Sequence, residues 1–240
     1  MIRAFIFDLD GTLVETELLK AQAYAAVSQT LLGLDAPDER AIDVYRRIVG
    51  ATDETAARAM VDELGLASSL HEDTEEPWRA LSRLQTERYG SDFATGDGLR
   101  SVVYQHAIDL LRDQAASGMA VAVATSSQTE AASRVTEEIG IRDLLDVLVG
   151  RDQVTNGKPD PEIYLKTAEL LGVSPDEVIV VEDSATGSES AVRAEMRCIA
   201  IASAFSADGL RAQALLDQEC CVYRPEELAG VVERLLSEAS

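Results

Sequence analysis

A chain of 240 residues, 46% of them hydrophobic and 27% charged, holds enough apolar material for a large folded core and is neither disordered nor fibrous in composition. Its formal net charge of −22 argues against nucleic acid or an anionic membrane as a partner, and it would also repel a phosphorylated ligand unless a cation sat in the site. No apolar run is long enough to span a bilayer, and residues 1–4 lead into an apolar stretch without the layout of a signal peptide, so the expected location is cytoplasmic.

Residues 2–7 are apolar and rich in β-branched and aromatic side chains, which predicts a buried parallel strand delivering Asp8 to its carboxyl end. Gly11 permits a sharp turn just beyond. Ligands of open parallel sheets bind outside the carboxyl ends of the strands, so Asp8 and Asp10 are candidates for a metal or phosphate site; a turn merely shaped by Asp and Gly is the plainer alternative. A helix is predicted over residues 17–32, starting near Thr16 and stopping at Gly33, followed by a turn at 35–37. A second helix over 53–64 sets Ala56, Met60 and Leu64 at four-residue spacing and closes at Gly65. A third opens at Pro77, carries Trp78, Leu81 and Leu84 on one side and ends at Gly90, with a solvated acidic loop at 71–76 before it. No strand is predicted between about residues 15 and 90, so this stretch reads as a small helical module, and residues 92–98 as the hinge that returns from it.

From Leu99 onward helix and strand alternate, as an α/β, doubly wound, Rossmann-like parallel sheet requires. Predicted strands lie at 119–124, 147–149, 178–181 and 198–202, with a short apolar piece at 220–223 and a helix from Pro225 to about Leu236. The expected division is a core of residues 1–14 and 92–240 and a helical insert of residues 15–91. Cys198, Cys220 and Cys221 lack the spacing of a zinc site and read as reduced thiols, and with no apolar stripe left over the chain is expected to be a monomer.

Each strand presents a polar terminus: Asp8 and Asp10 after the first, Thr125 and Ser126 after the 119–124 strand, Glu182 and Asp183 after the 178–181 strand, with Lys158 in a loop between the last two. Singly these are a helix cap, a solvated lysine and turns; jointly they place carboxylates, a hydroxyl and an ammonium at one edge of one sheet. The set Asp8-Leu9-Asp10-Gly11-Thr12, Ala124-Thr125-Ser126, Lys158-Pro159 and Glu182-Asp183-Ser184 resembles the four motifs of the haloacid dehalogenase superfamily. The helical insert after the first motif resembles the subclass with a helical cap. The stretches Gly157-Lys158-Pro159-Asp160-Pro161-Glu162-Ile163-Tyr164 and Val181-Glu182-Asp183-Ser184-Ala185-Thr186-Gly187 resemble its beta-phosphoglucomutase and sugar-phosphatase-like branch.

That resemblance implies Asp8 as nucleophile, forming an aspartyl-phosphate, and Asp10 as the general acid and base. It implies Mg²⁺ held by Asp8, the backbone carbonyl of Asp10, and Asp183, with Glu182 bound directly or through water. The Thr125 hydroxyl and Ser126 amide would bind phosphoryl oxygens, Lys158 would neutralise nucleophile and phosphate together, and Gly11 and Thr12 complete the substrate-binding set around the first motif. In the cap, Lys20 stands where the mutases carry a histidine, and Asp53 stands where an arginine would follow the cap glycine, Gly50, with Arg46 and Arg47 nearby. The expected activity is Mg²⁺-dependent hydrolysis of a small phosphorylated metabolite. A beta-phosphoglucomutase-type mutase is the alternative, and a non-catalytic phosphometabolite-binding regulator is disfavoured by the intact Asp8, Asp10, Lys158 and Asp183.

Overall fold

The computed structural model of the protein describes residues 1–48, 53–70, 76–203, 205–212 and 215–239. The chain forms two compact units, one of Met1–Glu15 with Val102–Ser240 and one of Thr16–Ser101. Among its described residues the second unit holds helices and no strand: α1 (Thr16–Leu32), α2 (Arg40–Ile48), α3 (Asp53–Leu64), α4 (Pro77–Arg88) and α5 (Gly96–Ser101). Helix α1 buries Leu19 and most of residues 21–28, so it is apolar nearly all round and serves as the central helix against which α2 and α4 pack.

Two of these elements were not expected. Helix α2 has only a turn and a half of signal, Ala41, Val44 and Tyr45 at the i, i+3, i+4 spacing of a buried face. Asp38 fixes its start, taking the Arg40 amide at 3.2 Å and the Arg40 guanidinium at 2.7 Å. Residues 92–98, expected to be the hinge that returns from the helical module, lie within the helical unit: the chain runs through a π-turn at Tyr89–Phe93 into α5, and the first unit resumes at Val102. On α4 the buried side chains are Ala80 and Leu81, while Trp78 is only half-buried, with the guanidinium carbons of Arg58 and Arg79 at 5.0 and 4.5 Å from its ring centre. Of the acidic loop expected at 71–76, residues 71–75 lie outside the described residues, and Glu76 precedes the first residue of α4.

The first unit is the α/β core. Strands β1 (Ala4–Phe7), β2 (Ala120–Ala124), β3 (Val147–Val149), β4 (Val178–Glu182), β5 (Arg197–Ile201) and β6 (Cys221–Val222) form one sheet in the order β3-β2-β1-β4-β5-β6. Every neighbouring pair is parallel. Helices α6 (Gln105–Ala116), α7 (Thr129–Glu138), α8 (Glu162–Leu171), α9 (Ala185–Arg193), α10 (Ala207–Ala212) and α11 (Leu228–Glu238) connect and flank the strands. The side chains alternate across the sheet. Ala4, Ile6, Ala122, Val178 and Val180 pack with Ile163, Tyr164 and Ala168 of α8 and with Ala191 of α9, while Phe5 and Phe7 stack on the opposite face with ring centres 6.2 Å apart.

The strand order reverses direction between β1 and β4, the topological switch point where open α/β sheets bind ligands. The segments that leave and re-enter this unit are tied together there, the Glu15 amide donating to the Val102 carbonyl and the Tyr104 amide to the Leu13 carbonyl, each at 2.9 Å. All three cysteines are free thiols, two of them buried. Among the described residues no helix is long and apolar enough to cross a membrane.

Candidate active site

Strand β1 sets the first carboxylate. The Asp8 amide donates to the Val181 carbonyl at 2.9 Å, carrying the β1–β4 ladder one residue past Phe7 and fixing the Asp8 backbone at the sheet edge. The chain then turns sharply, with the amides of Leu13 and Val14 both on the Leu9 carbonyl. Gly11 sits in this turn at φ +91°, and a Cβ there would lie 2.4 Å from Asp183 Oδ2. Glycine is required twice over, for the backbone conformation and because the Asp183 carboxylate occupies the space a side chain would fill. Thr12 is fully buried, and among the described residues its hydroxyl has no hydrogen-bond partner. The side chains of this loop therefore pack inward, and the part of Gly11 is to make room for a carboxylate.

Lys158 joins the ends of β1 and β4. Its ammonium donates to Asp8 Oδ1 and to Glu182 Oε1, both at 2.6 Å, and to the Ala124 carbonyl at 3.1 Å, which uses its three N–H groups. All three charged side chains are out of water, at 5% exposure for Lys158, 8% for Asp8 and 1% for Glu182. Glu182 is held on every side. The Tyr164 hydroxyl donates to Oε1 at 2.9 Å, and Oε2 accepts the amides of Asp183 and Ser184 at 2.9 and 3.0 Å and the Ser184 hydroxyl at 3.0 Å.

Electrostatics divides the cluster. Burial pushes the Asp8 carboxyl up to about 8, with Glu182 and Asp10 adding to the rise and Lys158 opposing it. Burial likewise raises Asp183 well above the usual carboxylate range, helped by the charges of Glu182 and Asp8. For Glu182, burial is outweighed by the Lys158 charge and by its hydrogen bonds from Lys158, Ser184 and Tyr164, which hold it below its ordinary value. Burial would discharge Lys158, but Asp8 and Glu182 hold it above its ordinary range. One ammonium compensates one carboxylate, so if Asp8, Glu182 and Asp183 all ionise, two negative charges stay uncompensated.

A ligand oxygen from each of these three carboxylates lies within 4.8 Å of the others. Clustered, buried carboxylate oxygens with an excess of negative charge are the donor set of a hard divalent cation such as Mg²⁺, so the residues present fit that ion.

Asp10 is oriented by the end of β2. Its Oδ2 accepts the Thr125 hydroxyl at 3.1 Å and the Ser127 hydroxyl at 2.7 Å, and the Ser127 amide donates to Thr125 Oγ1 at 3.0 Å. Thr125, expected on phosphoryl oxygens, here holds a carboxylate, while Ser126 is exposed in the turn that follows. Sequence reasoning passed over Ser127, whose only signal was a second serine after Thr125, and gave Tyr164 no role of its own.

The cap residues fall in the other unit. Lys20 is ion-paired with Glu17 at 2.7 Å, and the second oxygen of Glu17 accepts the Tyr45 hydroxyl at 2.6 Å. Arg46 pairs with Asp43 at 3.3 Å, and Arg47 donates to the Asp43 carbonyl at 3.2 Å and pairs with Glu63. Asp53 is exposed at the start of α3, and Gly50 lies outside the described residues.

Comparison with known proteins bears on the same chemistry. A family model for haloacid dehalogenase-like hydrolases matches residues 2–195. The phosphorylated carbohydrates phosphatase of Thermotoga maritima is 31% identical over 240 residues, covering 98% of this chain and all of that protein. A structure of CbbY from Rhodobacter sphaeroides in complex with phosphate superposes with a TM-score of 0.63 at 26% identity, covering 90% of this chain and 91% of that one. The beta-phosphoglucomutase of Clostridium difficile superposes at 0.68 over 99% of this chain and 98% of its own, but at 22% identity that likeness speaks to fold alone.

Proposed function

The chain belongs to the haloacid dehalogenase-like hydrolases, and on that premise we propose that it is a Mg²⁺-dependent phosphatase of small phosphorylated metabolites, sugar phosphates foremost. The observation that carries this reading is the buried Asp8–Lys158–Glu182 cluster beside Asp183, with Asp10 oriented two residues from Asp8. A site with no reaction to perform would have no use for a desolvated nucleophile, an acid and a cation site together.

Asp8, Asp183 and the backbone carbonyl of Asp10 would hold the metal, with Glu182 beside them. When bound, the ion neutralises charge on the carboxylates and on the transferring phosphoryl group. A carboxylate oxygen of Asp8 attacks phosphorus, the ester P–O bond breaks, and Asp10 gives its proton to the departing alcohol oxygen. Water then attacks the same phosphorus while Asp10 takes a proton from it; the P–O bond to Asp8 breaks, and inorganic phosphate and free Asp8 result. Lys158, already against Asp8, balances negative charge as it moves from nucleophile to phosphoryl oxygens.

Hydrolysis is favoured over isomerisation because Asp53, exposed at the start of α3, stands where a mutase would carry an arginine, and because the net charge of −22 opposes a cationic clamp for a second phosphate. The test is a panel of sugar monophosphates with Mg²⁺, together with beta-glucose 1-phosphate primed by a catalytic amount of the 1,6-bisphosphate. Free phosphate from the panel supports a phosphatase; efficient conversion to glucose 6-phosphate with little phosphate released would replace it with a mutase. We further read the protein as a monomer, which light scattering on the purified chain checks.

A further inference from the structure

Tyr164 lies one step behind the charged cluster. It is among the largest fully buried side chains of the protein, set on the first turn of α8 among Ile6, Val180 and Ala191. A phenylalanine would fill that apolar surround equally well, so the buried hydroxyl asks for an explanation, since a polar group taken out of water costs stability unless it is bonded. It is bonded to Glu182 Oε1 at 2.9 Å, the same oxygen that accepts Lys158 at 2.6 Å. The face of its ring lies under the lysine, with Nζ 4.9 Å from the ring centre. Tyr164 therefore touches both partners of one ion pair.

Glu182 has no freedom to move away from this arrangement. A Cβ at Gly187 would lie 1.7 Å from Glu182 Oε1, so the carboxylate rests against bare backbone on the first turn of α9. Its other oxygen is fixed by Ser184 and by the Asp183 amide. With Oε1 pinned by Tyr164 and Gly187, the ammonium it binds is pinned too, and that ammonium is the one set against Asp8.

We propose that Tyr164 is a positioning residue which, through Glu182 and through its ring, fixes the Lys158 ammonium against Asp8 for phosphoryl binding. The inference rests on the phosphatase reading. Without the hydroxyl, Glu182 Oε1 loses one of its two hydrogen bonds and can pivot about the fixed Oε2, shifting the Lys158 ammonium relative to Asp8. A displacement well under an ångström at a charge-stabilising group is enough to be felt in ligand affinity.

The experiment is a double-mutant cycle read by binding of inorganic phosphate in the presence of Mg²⁺, by calorimetry, with turnover of para-nitrophenyl phosphate measured alongside. Tyr164→Phe should weaken phosphate binding about tenfold in the parent protein and less than about twofold once Lys158 is already methionine. Gly187→Ala, which displaces the same carboxylate from the other side, should repeat this pattern. Equal weakening in both backgrounds, or none in either, would overturn the inference, because a tyrosine that served packing alone has no reason to act through Lys158. Failure of the parent protein both to bind phosphate and to turn over para-nitrophenyl phosphate would instead remove the phosphatase reading on which the inference stands.

Discussion

The two units use the same kinds of ion pair to opposite ends. In the helical unit the pairs of Arg46 with Asp43, Arg47 with Glu63 and Arg58 with Glu54 join side chains about half exposed to water. Such pairs gain little, because water screens the attraction and holding two long side chains still costs entropy. In the α/β unit, Lys158, Asp8 and Glu182 are almost wholly buried. There the desolvation of three charges is offset only while every partner stays in place, so the cluster is a poor source of stability and a precise source of geometry. The chain thus keeps its exchangeable charges on helix surfaces and its irreplaceable ones at the switch point of the sheet.

Removing members of the buried cluster should have the largest effects. Asp8→Asn keeps the shape and still accepts from Lys158, so folding should survive, yet the amide cannot attack phosphorus, and turnover should fall by at least about four orders of magnitude. Activity within about tenfold of the parent would move the nucleophile elsewhere. Lys158→Met should remove activity and also cost about 3–5 kcal/mol of stability in denaturant titration, the range for stripping one partner from a buried pair. Asp10→Asn should slow both chemical steps by about 10²–10⁴, and an unchanged rate would transfer the acid–base role to another group.

That these residues could be named in advance follows from how the sheet is written in the chain. β1, β2 and β4 are continuous apolar runs because both faces are covered, and each run stops at a polar residue, so Asp8, Thr125 and Glu182 mark their own strand ends. What was not legible depends on chain segments meeting in space. Ser127 reaches Asp10 only because β2 lies beside β1, and Tyr164 reaches Glu182 only because α8 packs on the sheet face beneath β1 and β2, next to β4. Local signal failed differently at α5, where Gly96 and Gly98 depress helix propensity and Leu99 is the only buried side chain. Asp8 and Glu182, both carboxylates at strand ends, also turn out unlike in a way no sequence shows: five donors hold Glu182 charged, while Asp8 shares one lysine and is pushed toward neutrality.

The difference between the units sharpens with pH. In metal-free protein Asp8 is raised from 3.8 to about 8, and Asp183 moves the same way. A carboxylate with a raised folded value binds its proton more tightly folded than unfolded. Its contribution is therefore complete at low pH and is lost as the pH climbs through the folded value. The unfolding free energy in chelator should fall between about pH 5 and 8, with a limiting slope of about 1.4 kcal/mol per pH unit for each such group, and the thermal midpoint should fall with it. Glu182, held low, acts in the opposite sense and only below its ordinary value of 4.5, outside this window. Saturating Mg²⁺ takes the deprotonated carboxylates and should flatten the fall. An equal slope with and without Mg²⁺ would separate these carboxylates from the metal site.

The smallest effect is expected at the busiest surface cluster of the helical unit, where Arg58 meets Glu54 at 2.9 Å, Glu76 at 3.0 Å and the ring of Trp78. By number of contacts it rivals Lys158. By burial it does not, for Arg58 is half exposed and its partners are as open. Arg58→Gln leaves the stem of the side chain to cover Trp78, and it leaves behind carboxylates that water already solvates. Its thermal midpoint should therefore stay within the scatter of the parent, and its turnover of para-nitrophenyl phosphate should be unchanged. Adding salt to 1 M, where charges are screened beyond about 3 Å, should erase whatever difference a dilute buffer reveals. The same salt should leave the stability deficit of Lys158→Met in place, because ions cannot enter the space between Asp8 and Glu182. A deficit at Arg58 that matched the one at Lys158 and persisted in salt would mean that contact number, not burial, sets the worth of a charge in this protein.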